Sequence, residues 1–391
     1  LRASALTFFS LLSIVPVVAM AFGIAKGFGF ENLLEEKLLV SFTGQEEVIA
    51  QVVGFARNML DNTQGGLIAG VGVGVLFWTV IKVIGQIESS FNDIWGIAQA
   101  RTIGRKFSDY LSIILICPML LIVSSSVTVL IASQITMIVD KLSFLGPVGD
   151  LVIGSLKILP YMVIWAVFSF LYIFLPNTRV MIKSGILGGI IAGTAYQVWQ
   201  IIYLSFQLGA AKYGAIYGSF AALPLFLMWL QVSWFIVLFG AEISFAEQNV
   251  ETYEFEPDCL SASHHFKRLI ALNIVQLCVK NFHLAQNPWT ASDIAHKVEM
   301  PIRLVRQILF ELTQANILNQ VKTEDDKTQA YQPARDIEQL TVQEVVEKLD
   351  HYGMDELALV ESKELKEIRN TLKNFSEKLK NSSTNLLLKN I

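Results

Sequence analysis

A row of polar side chains in the stretch IKVIGQIESSFNDIW, residues 81–95, has the spacing to do chemistry inside a membrane. Four of them fall on one helical face, at steps of four, three and four residues: Lys82, Gln86, Ser89 and Asp93. Glu88 and Asn92 form an adjacent polar pair. Such a face could line a water-filled groove in which Lys82 attracts an anionic group and a carboxylate moderates the charge. The alternative is a helix end that reaches water, because Lys82 lies about 24 Å along the helix from Gly66 and can snorkel.

A second polar set lies in more apolar sequence. Its members are Gln197, Gln200, Tyr203, Gln207, Gln231 and Glu242. Uncharged amides inside a helix bundle commonly bond one helix to another, and they can also contact a substrate. Glu242 would lie at the inner end of its segment, where Lys82 or Arg179 are the candidate partners. The sequence leaves helix bonding and substrate contact open.

The elements that carry these residues are membrane spans. The chain is 53% hydrophobic and 16% charged, against about 25% charged residues in average globular domains. Apolar runs long enough to cross a bilayer recur before residue 248, and ordinary soluble sequence follows. We therefore predict an all-α membrane domain over residues 1–250. Its six predicted spans are roughly 3–25, 66–92, 108–132, 151–175, 184–208 and 217–246.

The orientation of the spans is predicted from basic residues, which are densest in segments that would form short inner loops. These residues are Arg2, Arg101, Arg105, Lys106, Arg179 and Lys183. Both termini are then expected in the cytosol. Because the sequence starts at Leu1, inside a predicted helix and without an initiator methionine, we expect further residues before it.

Two features concern how the spans pack. Residues 26–65 contain an amphipathic helix, with its apolar face at Ile49, Val52, Val53, Ala56 and Leu60, that either lies on the outer membrane boundary or caps the bundle. Glycines repeat every fourth position in two spans, which favours close helix packing. They are Gly66, Gly70 and Gly74 in the second span and Gly185, Gly189 and Gly193 in the fifth. An inverted repeat of three helices plus three is the sharper interpretation of these stripes.

The tail is predicted to hold a small domain over 258–350 and a charged helical segment over 351–391. Within 264–335 the pattern predicts three helices and a hairpin, with Thr290 or Ser292 as an N-cap, which resembles a winged helix. Residues 258–350 carry ten Lys/Arg and twelve Asp/Glu, a net charge of −2, which disfavours nucleic acid as a partner. A heptad seam at Leu365, Ile368, Leu372, Phe375 and Leu379 predicts a short coiled coil or a helix docked on the domain.

Four stretches carry a family resemblance. They are LYIFLPNTRVMIKSGILGGIIAGTAYQVWQ, YGAIYGSFAALPLFLMWLQVSWFIVLFGAEI, LRASALTFFSLLSIVPV and SSFNDIWGI. Together they resemble the signature stretches of the YihY/BrkB membrane protein family over residues 1–248, and the tail is similar to the winged-helix extension of some members. The resemblance implies a bacterial inner-membrane bundle of six helices with cytosolic termini. It also implies a short cytosolic helix ahead of Leu1.

The resemblance does not imply a settled activity. The family's old label, ribonuclease BN, is disfavoured because metal-dependent hydrolysis needs clustered ligands. All five histidines lie in the tail, at positions 264, 265, 283, 296 and 351, without metal-ligand spacing. We expect no enzyme activity, no metal and no cofactor.

Two functions remain as hypotheses. The first is transport, export or flipping of an amphiphilic or anionic molecule. The second is a membrane-anchored scaffold or sensor whose tail, residues 258–391, recruits a cytosolic protein. The expected partners are the lipid bilayer, that protein and further copies of the chain. A transporter needs Lys82, Gln86, Gln200 and Gln231 to converge on one cavity, whereas a scaffold needs them paired or at the lipid boundary and an apolar patch on the tail.

Overall fold

The protein is described by a computed structural model. It describes residues 1–27, 46–61, 66–98, 147–211, 222–253, 261–323, 327–353 and 362–391, and also 29, 32, 34–36, 38, 101, 104, 106, 109–111, 255–256 and 259. The chain forms two compact units, which are taken one at a time. The first comprises Leu1–Ile94 with Ala100–Phe245, and the second Trp95–Gln99 with Ala246–Ile391.

The first unit is built from long helices. In chain order they are α1 (Arg2–Gly27), α2 (Glu46–Asp61), α3 (Gly66–Ile94), α4 (Pro147–Phe174), α5 (Ile182–Ala211) and α6 (Ala222–Gln248), the last of which ends in the second unit. Three stretches within them are long and apolar enough to cross a bilayer: Arg2–Gly23, Ile182–Phe206 and Leu223–Gln248. The chain is therefore an α-helical membrane protein. Helices also occupy the predicted spans 66–92 and 151–175, whereas the span predicted at 108–132 lies almost wholly outside the described residues.

The predicted amphipathic helix in 26–65 is α2, and its buried face packs on α1. Ile49 and Val53 join Phe22 of α1 in one apolar cluster, and Ala56 packs with Ala19 of the same helix. Arg57 on the polar side pairs with Glu35. The predicted apolar position Leu60 has a side chain outside the described set. The apolar face of α2 is thus covered by α1, and the place of this helix at the membrane boundary or as a cap on the bundle stays a prediction.

Helices α4 and α5 touch along the second glycine stripe. A side chain at Gly185, Gly189 or Gly193 would collide with Ile173, Ser169 or Trp165 of α4, respectively. The contacts run in opposite directions along the two helices, as in an antiparallel pair. Gly188, one position off the stripe, meets α6 instead, where an added Cβ would lie 2.7 Å from the carbonyl oxygen of Gly240. Small residues on α5 thus allow close approach of neighbours on two sides.

The first glycine stripe differs. A Cβ added at Gly74 of α3 meets nothing within 4 Å among the described residues, and this position is exposed. The surroundings of Gly66 and Gly70 lie outside the described set. At Gly74, the one position of this stripe whose surroundings are described, no neighbouring helix is in contact, although the spacing matches that on α5.

The second unit contains short helices and a small sheet. Its elements in chain order are α7 (Val250–Tyr253), α8 (His264–His283), β1 (Trp289–Thr290), α9 (Ala291–Val298), α10 (Ile302–Gln314), β2 (Leu318–Lys322), β3 (Gln329–Pro333), α11 (Val342–Asp350), α12 (Lys363–Lys380) and a terminal 3-10 turn, Leu388–Asn390. The strands form an antiparallel sheet in the order β1-β3-β2. The predicted hairpin is β2 and β3, paired from Leu318↔Pro333 to Lys322↔Gln329.

Local sequence explains where the tail helices begin. Thr290 is the N-cap of α9, and its side chain and that of Asp293 satisfy each other's backbone N–H groups in a capping box. Pro301 precedes α10, where a missing N–H costs nothing. Apolar side chains of α8, α9 and α10, among them Ile274, Ile294 and Leu309, are fully buried. These helices form the core of the second unit.

Candidate functional site

A buried polar cluster of the first unit surrounds Glu88, near the end of α3. Its carboxylate is 2% exposed. One oxygen accepts a 3.3 Å hydrogen bond from the amide of Asn92, one turn further along α3. The other oxygen accepts a hydrogen bond from the hydroxyl of Tyr110. The side chains of Glu88 and Asn92, the polar pair noted in the sequence, are thus buried and hydrogen-bonded rather than exposed to water.

Arg101 supplies the positive charge. Its Nη1 lies 3.8 Å from Glu88 Oε2 and 3.3 Å from Asp109 Oδ2. The guanidinium side chain is only 1% exposed. A buried charge of this kind persists only when it is paired. Nε and Nη1 have no partner with hydrogen-bond geometry among the described residues, so the attraction of Nη1 to the carboxylates is electrostatic.

The remaining nitrogen of Arg101 caps a helix. Nη2 donates to the carbonyl oxygens of Phe174, Leu175 and Pro176, at 3.1, 3.0 and 3.3 Å. The last carbonyls of a helix lack partners within it, and its C-terminus carries partial negative charge. A cation at this position satisfies both. Arg101 therefore joins the acidic end of α3 to the end of α4.

Asn92 makes a second link to the same segment. Its Oδ1 accepts a 2.8 Å hydrogen bond from the backbone N–H of Asn177, just after α4. We call Glu88, Asn92, Arg101, Asp109 and Tyr110, with the backbone of 174–177, the buried polar knot. Apart from the Asn92–Glu88 bond within α3, these contacts join separate segments of the chain. Its arrangement can hold segments together and keep charge out of lipid.

The predicted polar face of α3 is separate from the knot. Lys82, Gln86, Ser89 and Asp93 are all exposed. Lys82 Nζ lies 5.8 Å from the ring centroid of Trp78, a cation–π arrangement one turn apart. Asp93 pairs with Arg2 of α1. One side of α3 thus forms an exposed polar stripe, while the adjacent pair Glu88 and Asn92 faces inward.

Two glutamines of the second polar set, Gln200 and Gln231, bond helix to helix. Gln200 Oε1 of α5 accepts a 2.8 Å hydrogen bond from the indole of Trp229 on α6. Gln231 of α6 bonds α1: its Oε1 accepts from Thr7 at 3.0 Å, and its Nε2 donates to Ser4 at 3.2 Å. Among the described residues, no hydrogen bond or ion pair joins these glutamines to the knot or to Lys82.

The other members of the set are less engaged or less defined. Nε2 of Gln197 is buried and has no hydrogen-bond partner among the described residues. Tyr203 is buried in an aromatic cluster with Phe226 and Trp229. Glu242 is half-buried, and the side chain of Gln207 lies outside the described set. The described contacts therefore join members of the set to separate partners and do not gather the set into one site.

Sequence reasoning missed the centre of the knot. It used Arg101 only to orient the spans and gave no role to Asp109, Tyr110 or Asn177. A signal was present in the PNT turn after α4, since a proline leaves backbone groups that need partners. The spacing of residues in the sequence does not indicate that Arg101 is the partner of these groups.

In the second unit, the two arginines of α10 are engaged within that unit. Arg303 Nη1 lies 3.6 Å from Glu256 Oε2, and Arg306 donates to the carbonyl oxygen of Trp95. Burial lowers the pKa of Arg306 to about 10, so it remains charged at neutral pH. Gly96 has φ +64°, and a Cβ there would lie 2.8 Å from Arg303 Cγ, so both conformation and space favour glycine at this position.

Metal chemistry finds no support in the described part of the chain. No group of three or more His, Cys, Asp or Glu residues there has the geometry to hold an ion. The knot contains two carboxylates, but both face an arginine. The described geometry thus offers no site for metal-dependent hydrolysis.

Comparison with known proteins places this architecture in a family. The sequence model described as "Virulence factor BrkB" matches residues 1–265. A UPF0761 membrane protein of Paraburkholderia xenovorans is 29% identical over 270 residues, covering 68% of this chain and 61% of the relative. One from Ralstonia nicotianae is 27% identical, covering 84% of this chain and 72% of the relative. One from Pseudoalteromonas translucida is 30% identical, covering 66% of this chain and 85% of the relative.

The chain spans less than two-thirds of the length of the Paraburkholderia relative. No solved structure matches this chain. The family match takes in all the membrane helices described above and the whole buried polar knot. The resemblance drawn from the four sequence stretches is thereby confirmed: this chain is a membrane protein of the BrkB family.

Proposed function

We propose that this protein is a membrane-anchored scaffold, in which the helical bundle is the anchor and the cytosolic tail binds a protein partner. One contrast carries the proposal. Gln200 and Gln231 inside the bundle are bonded between helices, while four large apolar side chains on α12 of the tail are exposed. This is the combination expected of a scaffold and opposite to that expected of a transporter.

The bonding of Gln200 and Gln231 is the first support. A substrate path needs polar groups that face a common cavity and are free to exchange partners. Gln200 instead fixes α5 to α6 through Trp229, and Gln231 fixes α6 to α1 through Ser4 and Thr7. Both are consistent with the role of uncharged amides as interhelical bonds in membrane proteins.

The tail provides the second support. Its element order, helix, short strand, two helices and a hairpin, agrees with a winged-helix-like domain. Folds of this type often bind DNA, but the domain is acidic overall, and the two arginines of α10 are held by Glu256 and Trp95. A protein partner therefore fits this surface better than a polyanion.

The proposal includes a topology. Six spans would place both termini in the cytosol of a bacterium, with the bundle in the inner membrane. Five of the predicted spans coincide with described helices. The density of basic residues around Arg101 and Arg179 favours the cytosolic side for those loops.

The test is the labelling of single cysteines by a small charged thiol reagent in intact membranes. Cysteines at positions 82, 86, 200 and 231 are compared in a chain whose three natural cysteines have been replaced. A scaffold predicts labelling at exposed positions 82 and 86, and protection at 200 and 231. Labelling of 200 and 231 from one side would contradict the proposal, because it would reveal a water-filled cavity.

Transport remains a second candidate because of Gln197. Its buried Nε2 lacks a partner among the described residues, and a bound molecule is one way to satisfy such a donor. The same experiment with a cysteine at position 197 separates the functions. Protection by an amphiphilic or anionic compound would favour transport.

A further inference from the structure

Helix α12 presents an apolar row to solvent. Ile368, Leu372, Phe375 and Leu379 are each between 54% and 62% exposed. With half-buried Leu365 they alternate at three and four residues, which are the a and d positions of a heptad. Exposed contiguous apolar surface of this kind on a soluble domain marks an interaction site.

The helix is held on its own domain at one edge of the row, through Ser376, and beyond its C-terminal end, through Asn385. The Ser362 side chain caps its first turn by accepting from the Leu365 N–H. Ser376 accepts a 3.3 Å hydrogen bond from Gln343 of α11. Asn385 accepts from the Gln343 backbone and donates to the Lys380 carbonyl. These contacts fix α12 on the domain and leave the apolar row outward.

We infer that the occupant of this row is the same row of a second copy of the chain, paired as a parallel, in-register coiled coil. The inference rests on the proposed function, since it names the partner that the exposed surface of the tail binds. In register, each apolar position faces its own copy along the whole row. An antiparallel pairing matches a positions to d positions and leaves one end of the row uncovered.

Charge complementarity favours the parallel arrangement. With Leu365 at position a, Glu364 is at g and Arg369 is at the following e. A g residue in one helix of a parallel pair lies beside the next e residue in the other, so Glu364 faces Arg369 of the second copy. The next such pair is Thr371 with Ser376, which is neutral. No like charges meet across the seam.

The width of the row argues against a lipid surface as the occupant. Residues 363–380 carry six Lys/Arg and three Glu, a net charge of +3, which by itself suits anionic lipid. However, helices that lie in the interface have a broad apolar face. Here the flanking e and g positions are polar: Glu364, Arg369, Thr371, Ser376 and Lys378. An apolar stripe confined to a and d is the narrower seam of a coiled coil.

Confinement in a membrane makes so short a seam sufficient. A coiled coil of this length is marginal in solution, because short helices gain little from each pairing. Two copies anchored in one bilayer meet at a raised effective concentration, which strengthens weak pairing without new contacts. The anchor and the seam therefore act together.

Disulfide formation between single cysteines tests the pairing in the full-length protein in its own membranes. Leu372→Cys, at the centre of the row, is compared with Asn370→Cys, an exposed position on the far side of α12, in a chain lacking the natural cysteines. Mild oxidation is expected to link most copies through Cys at 372 and few through 370. Adding Phe375→Glu to the Leu372→Cys chain is expected to lower the linked fraction at least fivefold.

Four results would overturn the inference. Equal linking at 370 and 372 would indicate random collision, and absence of linking at 372 would indicate that the row is not self-paired. Quenching of a fluorophore at position 372 by a lipid-borne quencher would assign the row to the bilayer. If a variant does not accumulate, chemical cross-linking of the wild-type chain through its lysines in its own membranes decides, because a chain that stays monomeric there contradicts the pairing. Protection of positions 200 and 231 would still support the anchor role in each case.

Discussion

The buried polar knot and the apolar row of α12 reverse the usual relation between polarity and burial. In the membrane bundle, Glu88 and Arg101 are removed from solvent and paired. In the tail, Leu372 and Phe375 are left in solvent. Polar residues in the first region hold the fold together, and apolar residues in the second are available for contact. Residue type therefore does not indicate role until the partners of the side chain are known.

Replacing Arg101 is expected to give the largest stability change and tests whether the buried polar knot holds the fold together. Arg101→Ala leaves the Glu88 carboxylate buried without its cation and uncaps α4, and we expect a loss of about 3–5 kcal/mol in the free energy of unfolding. Lys82→Ala, at an exposed cation on α3, should change it by no more than about 0.5 kcal/mol. Unfolding of the purified full-length protein in detergent measures both. Equal stability of the two variants would mean that the knot is not structural.

Truncating leucines in the tail compares buried with exposed apolar residues. Leu309→Ala, at a fully buried position of α10, should lower the stability of the tail by about 2–5 kcal/mol. Leu372→Ala, on the exposed row, should leave unfolding of the isolated chain within about 0.5 kcal/mol of wild type. The loss of tail near-ultraviolet dichroism on heating reports the difference. A large effect at 372 in monomeric protein would show that the row packs within the chain.

The two glycine stripes should respond to alanine with opposite signs. Gly189→Ala forces a Cβ to within 2.6 Å of the Ser169 backbone nitrogen, and overpacking of this kind costs about 1–3 kcal/mol. A Cβ at Gly74 meets nothing within 4 Å among the described residues, so Gly74→Ala should stabilise α3 by about 0.5–1 kcal/mol. Melting temperatures of the two variants in the same detergent make the comparison. A destabilising Gly74→Ala would reveal a helix packed on that stripe.

Of these tests, the ionisation of the Cys278 thiol is expected to change stability least at neutral pH. Burial raises its pKa from 9.0 to about 12, because the apolar core disfavours the thiolate. The folded state binds the proton of this thiol more tightly than the unfolded state does. The resulting contribution to the free energy of unfolding is complete below pH 9 and is lost as the pH rises toward 12. At pH 9, iodoacetamide should modify half-buried Cys259 and spare Cys278, as peptide mass mapping can determine. Rapid modification of Cys278 would indicate that α8 opens.

Much of the architecture was predictable because its causes are local. Apolar length fixes the membrane helices, and the Thr290–Asp293 capping box marks the start of α9. The stripe at Gly185, Gly189 and Gly193 predicted a close helix contact, which α4 supplies. The identical spacing at Gly74 has no described contact, because a small residue permits approach without requiring it.

The knot could not be predicted because its partners are distant in sequence. Arg101 bonds carbonyl groups 73 to 75 residues away, and no periodicity links them. The same limit applies to Gln231, whose partners on α1 lie at the other end of the bundle sequence. Spacing identifies which residues share a face of one helix, but it does not identify which residue of another helix meets that face.

The separation of Arg101 from its partners along the chain also determines when their contacts can form during synthesis. The arginine cannot cap α4 until Pro176 has been made, and Asn92 cannot bond Asn177 before that residue exists. At about 5–20 residues per second, a ribosome needs several seconds to supply the missing segment. Until then the knot lacks the acceptors of Arg101 Nη2 at 174–176 and the Asn92–Asn177 bond. A translation product ending before α4 would keep its charged helix end exposed, a mark by which a protease or chaperone can distinguish an unfinished chain from a finished one.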